Sequence, residues 1–195
     1  MSVLRFDNVS KQYPGGHVAL ADVSFEIQAG EMLFVTGHSG AGKSTLLKLI
    51  HLAERPSRGA VLFGERNLMK VRGRRVALHR REVGVVFQDH RLLADRSVFE
   101  NIALPLILRG MRRGEIGKRV RTVLDKLGLA ARERALPTQL SAEIMALFAS
   151  LPERGTSVLV ASHDLGLVKR MKRRVLVLDH GTLADDISPE DLADA

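Results

Sequence analysis

Eight residues, Gly37-His38-Ser39-Gly40-Ala41-Gly42-Lys43-Ser44, have the types and spacing to hold a chain of phosphates. They match the pattern G-x-x-x-x-G-K-[ST]. Glycines at 37, 40 and 42 let the backbone curl until successive N–H groups point at phosphate oxygens. A helix starting at the end of the loop presents its positive end to the same anion. Lys43 reaches the outer phosphates, and Ser44 offers a hydroxyl to Mg²⁺. His38, Ser39, Ala41 and Thr45 complete the loop and its exit and are expected at the same site. Average composition yields the bare pattern by accident in about one chain in a hundred of this length, so its surroundings must decide.

Those surroundings are a strand running into a helix. Met32 to Thr36 reads as a strand buried on both faces of a sheet. A helix follows at once, with Leu46, Leu47, Ile50 and Ala53 on one side. Val83–Phe87, Val158–Ala161 and Val175–Leu178 are three more buried runs, and Asp164 is the expected N-cap of a helix between the last two. Strands alternating with helices imply a mainly parallel sheet. Val3–Val9, Val18–Ile27 and Ala60–Phe63 are rich in β-branched and aromatic residues and read as further strands. Residues 97–139 read as helical. Ser97 and Glu100 form a capping box, Ile116, Val120, Val123 and Leu127 keep helical spacing, and Gly128 fits a helix stop. A short apolar helix is predicted over Ile144 to Phe148.

The chain has 195 residues, one domain by length. Hydrophobic residues at 45% and charged residues at 27% are ordinary globular usage. The absence of cysteine excludes disulfide scaffolds, Cys-ligated metals and Cys nucleophiles. No apolar run approaches the ~18 residues needed to span a bilayer, and the first ten residues lack the apolar centre of a signal peptide. An intracellular protein is expected. The net charge of +8 comes from basic clusters at 72–81, 109–113 and 169–174. These suit nucleic acid, an anionic membrane or solvated helix faces. One Tyr and no Trp argue against a stacking platform for nucleic acid.

The phosphate loop with Thr45-Leu46-Leu47 resembles the ATP-binding subunits of ABC transporters. The resemblance runs from the N-terminus to Ser141 and resumes from about Ala142 to the last strand. It implies ATP and Mg²⁺ as cofactors. It also implies roles for three residues outside the loop. Gln88, 45 residues after Lys43 in Phe87-Gln88-Asp89, looks like the family's glutamine, which touches Mg²⁺ and senses the membrane partner. Tyr13 looks like the aromatic residue that stacks on adenine, although its type alone fits a turn or core tyrosine. His163, in Ser162-His163-Asp164, looks like the histidine that contacts the γ-phosphate. Phe34–Ile50, Phe87–Leu93 and Asp95–Asn101 are most similar to the cell-division branch of the family, while lipoprotein-releasing and macrolide-exporting ATPases share much of the pattern. That branch implies a homodimer, a membrane permease partner and a place on the inner face of the cell membrane through that partner.

The implied fold is α/β, a P-loop NTPase of the ABC type in one nucleotide-binding domain. Residues 1–31 and 57–66 would form an antiparallel β-subdomain, 32–56, 83–90 and 142–195 the core, and 91–141 a helical insert. The family's core sheet runs last strand, phosphate-loop strand, histidine strand, Walker B strand, glutamine strand. Here the family's motifs stop short. Gln139-Leu140-Ser141 begins the signature L-S-G-G-Q/E, but Ala142-Glu143-Ile144 follows it. No Walker B strand with its Asp and catalytic Glu stands before His163, and only 22 residues separate Ser141 from His163. Val175–Asp179 has the Walker B texture, but it follows His163 and continues into His180-Gly181. The shortfall corresponds to roughly thirty residues, a helix plus a strand with their turns. An in-frame deletion between two Leu-Ser sites is expected, leaving a core sheet short of one strand. Two activities stay open: ATP hydrolysis coupled to a membrane partner, and nucleotide binding without turnover.

Overall fold

The computed structural model describes residues 2–83, 93–137, 157–163 and 165–193. The chain divides into two compact units, residues 1–88 with 151–195, and residues 89–150.

The first unit holds two sheets. One is antiparallel, in the order β2-β1-β4-β5, from β1 (Ser2–Gln12), β2 (Val18–Gln28), β4 (Arg58–Phe63) and β5 (Arg66–Asn67). Leu4 and Phe6 of β1 point inward, and the inward set then jumps to Val9. The jump follows from a bulge: Asn8 adopts φ 46°, and the register with β2 shifts between Phe6 and Val9. Phe6 faces Phe25 across the pair, with ring centroids 4.6 Å apart.

The second sheet runs β6-β3-β7-β8, from β3 (Met32–Thr36), β6 (Val158–Ala161), β7 (Arg174–Asp179) and β8 (Thr182–Ile187). β3 lies parallel to both β6 and β7, which is why all five of its residues are buried. This is the order the resemblance implies for last strand, phosphate-loop strand and histidine strand. Among the described residues β6 pairs with β3 alone. Of the run Val83–Phe87 only Val83 is described, and Asp164, Gln139, Leu140, Ser141 and the helix expected over Ile144–Phe148 lie outside the described residues. The hairpin strand β8 was not legible as a strand, because Thr-Leu-Ala-Asp-Asp-Ile is polar and half exposed.

Helix α1 (Lys43–Ile50) buries Leu46, Leu47, Leu49 and Ile50, and Leu46, Leu49 and Ile50 join the core shared by both sheets. It stops at Ile50, so Ala53 lies beyond it and is exposed, contrary to the sequence reading. Helix α2 (Arg74–Glu82) buries His79, whose Nε2 donates to the Ile50 carbonyl at 2.7 Å. Helix α5 (Leu165–Met171) connects β6 to β7. Arg174 ties the elements together. Its guanidinium donates to both Asp186 oxygens (2.7 and 2.6 Å), to Glu31 (2.9 Å) and to the Glu26 carbonyl (2.8 Å).

The second unit contains α3 (Val98–Leu108) and α4 (Arg113–Lys126). The capping box is present: Ser97 Oγ accepts from the Glu100 amide, and Glu100 accepts from the Ser97 amide at 2.8 Å. Within the stretch 97–139, read as helical with a stop at Gly128, the helix is divided at 109–112, where Gly110 has φ 73°, and α4 ends at Lys126, just before Gly128. Ile116, Val120 and Leu124 form the buried stripe of α4, while Val123 is 40% exposed. The inward step from 120 is therefore four residues, not three.

Candidate functional site

The loop between β3 and α1 curls as its glycines require. Gly37 has φ 141°, and a Cβ there would stand 2.2 Å from the Leu178 carbonyl oxygen of β7. Gly42 has φ 109°, and a Cβ there would stand 2.6 Å from the Ala19 carbonyl oxygen of β2. Both contacts are backbone against backbone, so only glycine fits and the loop is clamped from two sides.

Residues 37–45 line a cavity of about 460 Å³, together with His17, Ala19 and His163. That volume suits a small-molecule ligand. No side chain caps the start of α1 at Gly42, leaving the helix's positive end toward the cavity. Lys43 is buried, and its ammonium donates to the Gly37 and His38 carbonyls at 2.7 and 2.8 Å. Burial holds its pKa below the usual lysine range, so a nearby anion would stabilise its charged form. Ser44 is exposed in the cavity wall with its hydroxyl available to a cation. One hydroxyl beside a phosphate chain suits Mg²⁺, which keeps several waters and takes few protein ligands.

The structure brings most of the sequence-predicted residues together. Gly37, His38, Ser39, Gly40, Ala41, Gly42, Lys43, Ser44 and Thr45 form one wall of the cavity, and His163, just past the end of β6, reaches it from the neighbouring strand. Tyr13 stands close by, its hydroxyl 3.4 Å from Thr45 Oγ1, with Lys11 Nζ 4.9 Å from its ring centre. It does not line the cavity; His17 does. The turn at Gly15-Gly16 folds the chain back so that the Tyr13 amide bonds the His17 carbonyl at 2.8 Å, with the two rings 6.5 Å apart and nearly parallel. The Gly-Gly turn two residues after the aromatic was the available signal for His17, four residues after it. Gln88 lies outside the described residues. Asp179 does not line the cavity; it sits 3.2 Å from His38 Nε2.

Residues 20–145 match the family model described as ABC transporter. The chain is 39% identical to the cell division ATP-binding protein FtsE of Escherichia coli K12, over 96% of this chain and all of that one. It is 33% identical to the FtsE of Bacillus subtilis 168, over 95% and 96%. The first alignment spans 222 positions and this chain has 195 residues, so the relative carries residues without a counterpart here. Among solved structures, the ATP-binding cassette MJ0796, in a dimeric post-hydrolysis state with ADP and Pi, superposes with a TM-score of 0.77 at 26% identity, covering 95% of this chain and 98% of that one. CbiO1 from Clostridium perfringens, at 22% identity and a TM-score of 0.80, shares the fold. Among the described residues no helix is long and apolar enough to cross a membrane.

Proposed function

Because the chain belongs to the ABC transporter family of ATP-binding proteins, we propose that it is an ATP-binding subunit of the bacterial cell-division type, and that it grips ATP without efficient turnover. The observation that carries the reading is the clamped loop with Lys43 inside it and His163 opposite. Loop amides and the α1 terminus receive the β- and γ-phosphates, and the Lys43 ammonium leaves its two carbonyls to join them. Ser44, with Gln88, would hold Mg²⁺, which would supply charge screening to the phosphates when bound. His163 contacts the γ-phosphate, and Tyr13 with His17 receives the base. An FtsX-like membrane permease is the proposed partner and holds the subunit on the inner face of the cell membrane. Two copies would meet head to tail as in intact relatives.

Turnover is the weak half. The sequence lacks the signature glycines, the Walker B Asp and the catalytic Glu, and the E. coli relative has residues absent from this chain. Groups that orient water and stabilise transferred phosphoryl charge contribute ~10²–10⁵-fold each. A role in lipoprotein release or macrolide export is the alternative within the family; the FtsE relatives favour cell division.

The test is ATP binding by the purified chain with and without Mg²⁺, alongside Lys43→Ala. Binding that needs Lys43 and survives removal of Mg²⁺, with no Lys43-dependent phosphate release, supports the reading. Lys43-sensitive turnover at family rates overturns the turnover half, and absence of ATP binding overturns the whole.

A further inference from the structure

We infer that His38, Asp179 and His180 form a site for a divalent cation of the zinc class, on the outer lip of the phosphate loop. The three residues offer ligand atoms that all lie within 4.8 Å of one another. His38 Nε2 is 3.2 Å from Asp179 Oδ1, and His180 Nε2 is 3.9 Å from the same oxygen. Ligands bound at the usual zinc distances in a tetrahedron stand about 3.4 Å apart. The widest gap closes by turning His180, whose side chain is 83% exposed.

A second, independent feature points to a cation. His38 Nδ1 lies 2.6 Å from the Ser39 carbonyl oxygen. That oxygen can only accept, so Nδ1 is the donor there, and Nε2 is the nitrogen left facing Asp179, with the His180 amide 3.4 Å from it. A histidine whose far nitrogen donates to a carbonyl is also the usual arrangement of a metal-bound imidazole.

The scaffold is fixed before any ion arrives. Asp179 pairs with Thr182 across a two-residue turn in which His180 and Gly181 have φ 44° and 84°. Gly181 accepts from the Ala21 amide at 2.8 Å and donates to the Ala41 carbonyl at 3.2 Å, which fastens the turn to both β2 and the phosphate loop. Two imidazoles and one carboxylate select Zn²⁺, with Co²⁺ and Ni²⁺ as congeners, over the all-oxygen preference of Mg²⁺ and Ca²⁺. Asp179 and His180 stay outside the nucleotide cavity, which His38 borders, and Ser44 is not one of the three ligands.

The experiment is Zn²⁺ titration of the untagged full chain against a fluorescent chelator, repeated with Co²⁺ for its visible absorption. One ion per chain is expected. His180→Ala and Asp179→Asn are each expected to weaken binding about tenfold or more, and His51→Ala, away from the cluster, to leave it unchanged. Circular dichroism and melting without metal check that the variants fold; should Asp179→Asn disturb the hairpin, the exposed His180→Ala decides alone. No binding, or binding indifferent to both cluster substitutions, overturns the inference. Because the readout is the metal alone, it is unaffected by failure of ATP binding.

Discussion

Replacing Gly37 by alanine should damage the fold more than replacing Gly40, although both belong to the same loop and both have positive φ. A Cβ at Gly37 would meet the Leu178 carbonyl oxygen at 2.2 Å, and real Cβ contacts essentially never fall below 3.0 Å, so β3 and β7 must part by about 0.8 Å. Those strands sit side by side in the buried sheet, so the displacement is felt along the pair. Forcing an L-residue to φ 141° costs ~1–3 kcal/mol, and overpacking costs typically ~1–3 kcal/mol. Gly40, at φ 84° with nothing within 4 Å, meets only a conformational cost of ~1–2 kcal/mol. The expected difference is therefore about 2 kcal/mol, or roughly 4–8 °C in melting temperature for a chain of this size. Denaturant titration and calorimetry of the two variants beside the unsubstituted protein measure it. Equal stabilities for Gly37→Ala and Gly40→Ala would refute the claim that the loop is clamped against the end of β7.

Three further outcomes are expected. Arg174→Ala leaves Asp186 and Glu31 without their shared cation and should cost about 2 kcal/mol, with Arg174→Lys recovering only part because lysine cannot match the two-pronged grip on Asp186; thermal melts decide. The amide and hydroxyl of Ser97 hold the Glu100 carboxyl below its usual range, so its contribution is present at neutral pH and is lost as pH falls through that lowered value. The stability gap between the unsubstituted protein and Glu100→Gln should accordingly shrink on acidification, as melts from pH 7 to pH 3 would show. His17→Ala should weaken ATP binding more than it weakens inorganic triphosphate binding, since His17 lines the cavity from outside the loop, beside Tyr13; an equal loss for both ligands would place it at the phosphates instead.

The parts of this structure that could be read from sequence are those where one local cause dominates. The phosphate loop is dictated by glycines whose positions admit no other residue, and the capping box by a serine and a glutamate three residues apart. β3 and β7 announced themselves because strands buried on both faces are continuously apolar. Helix α2 was hidden, since five of its nine residues are charged and its fully buried residue is His79, seated on the Ile50 carbonyl and the edge of Phe63. Strand β8 was hidden by its acidic outer face, which is explained only by Arg174 across the ladder. Tyr13 was legible from its residue type, whereas His17 on the cavity wall was not, because the Gly15-Gly16 turn that sets the two rings side by side decides its place.

On the proposed reading, phosphate binding and phosphoryl transfer separate physically in this chain. The phosphate loop is held by its own helix, by the Ala19 backbone of β2, by the end of β7 and by Gly181 of the β7–β8 hairpin. All of these contacts belong to the first unit and come from residues outside the stretch where the Walker B strand is missing from the sequence. The cradle is thus assembled without the groups that would activate water. A triphosphate that settles there gains amides, a helix end and an ammonium, all of which bind ground state and transition state alike. Differential stabilisation requires a base and an opposing positive surface at the γ-phosphate, and His163 alone supplies neither a carboxylate nor a second helix end. The expected kinetic signature is an affinity near that of intact relatives with turnover reduced by orders of magnitude. Supplying a second, intact cassette in trans should leave both nucleotide sites of a mixed dimer incomplete, one without the opposing signature and the other without the Walker B carboxylates, so a mixed dimer that hydrolyses at family rates would refute this division.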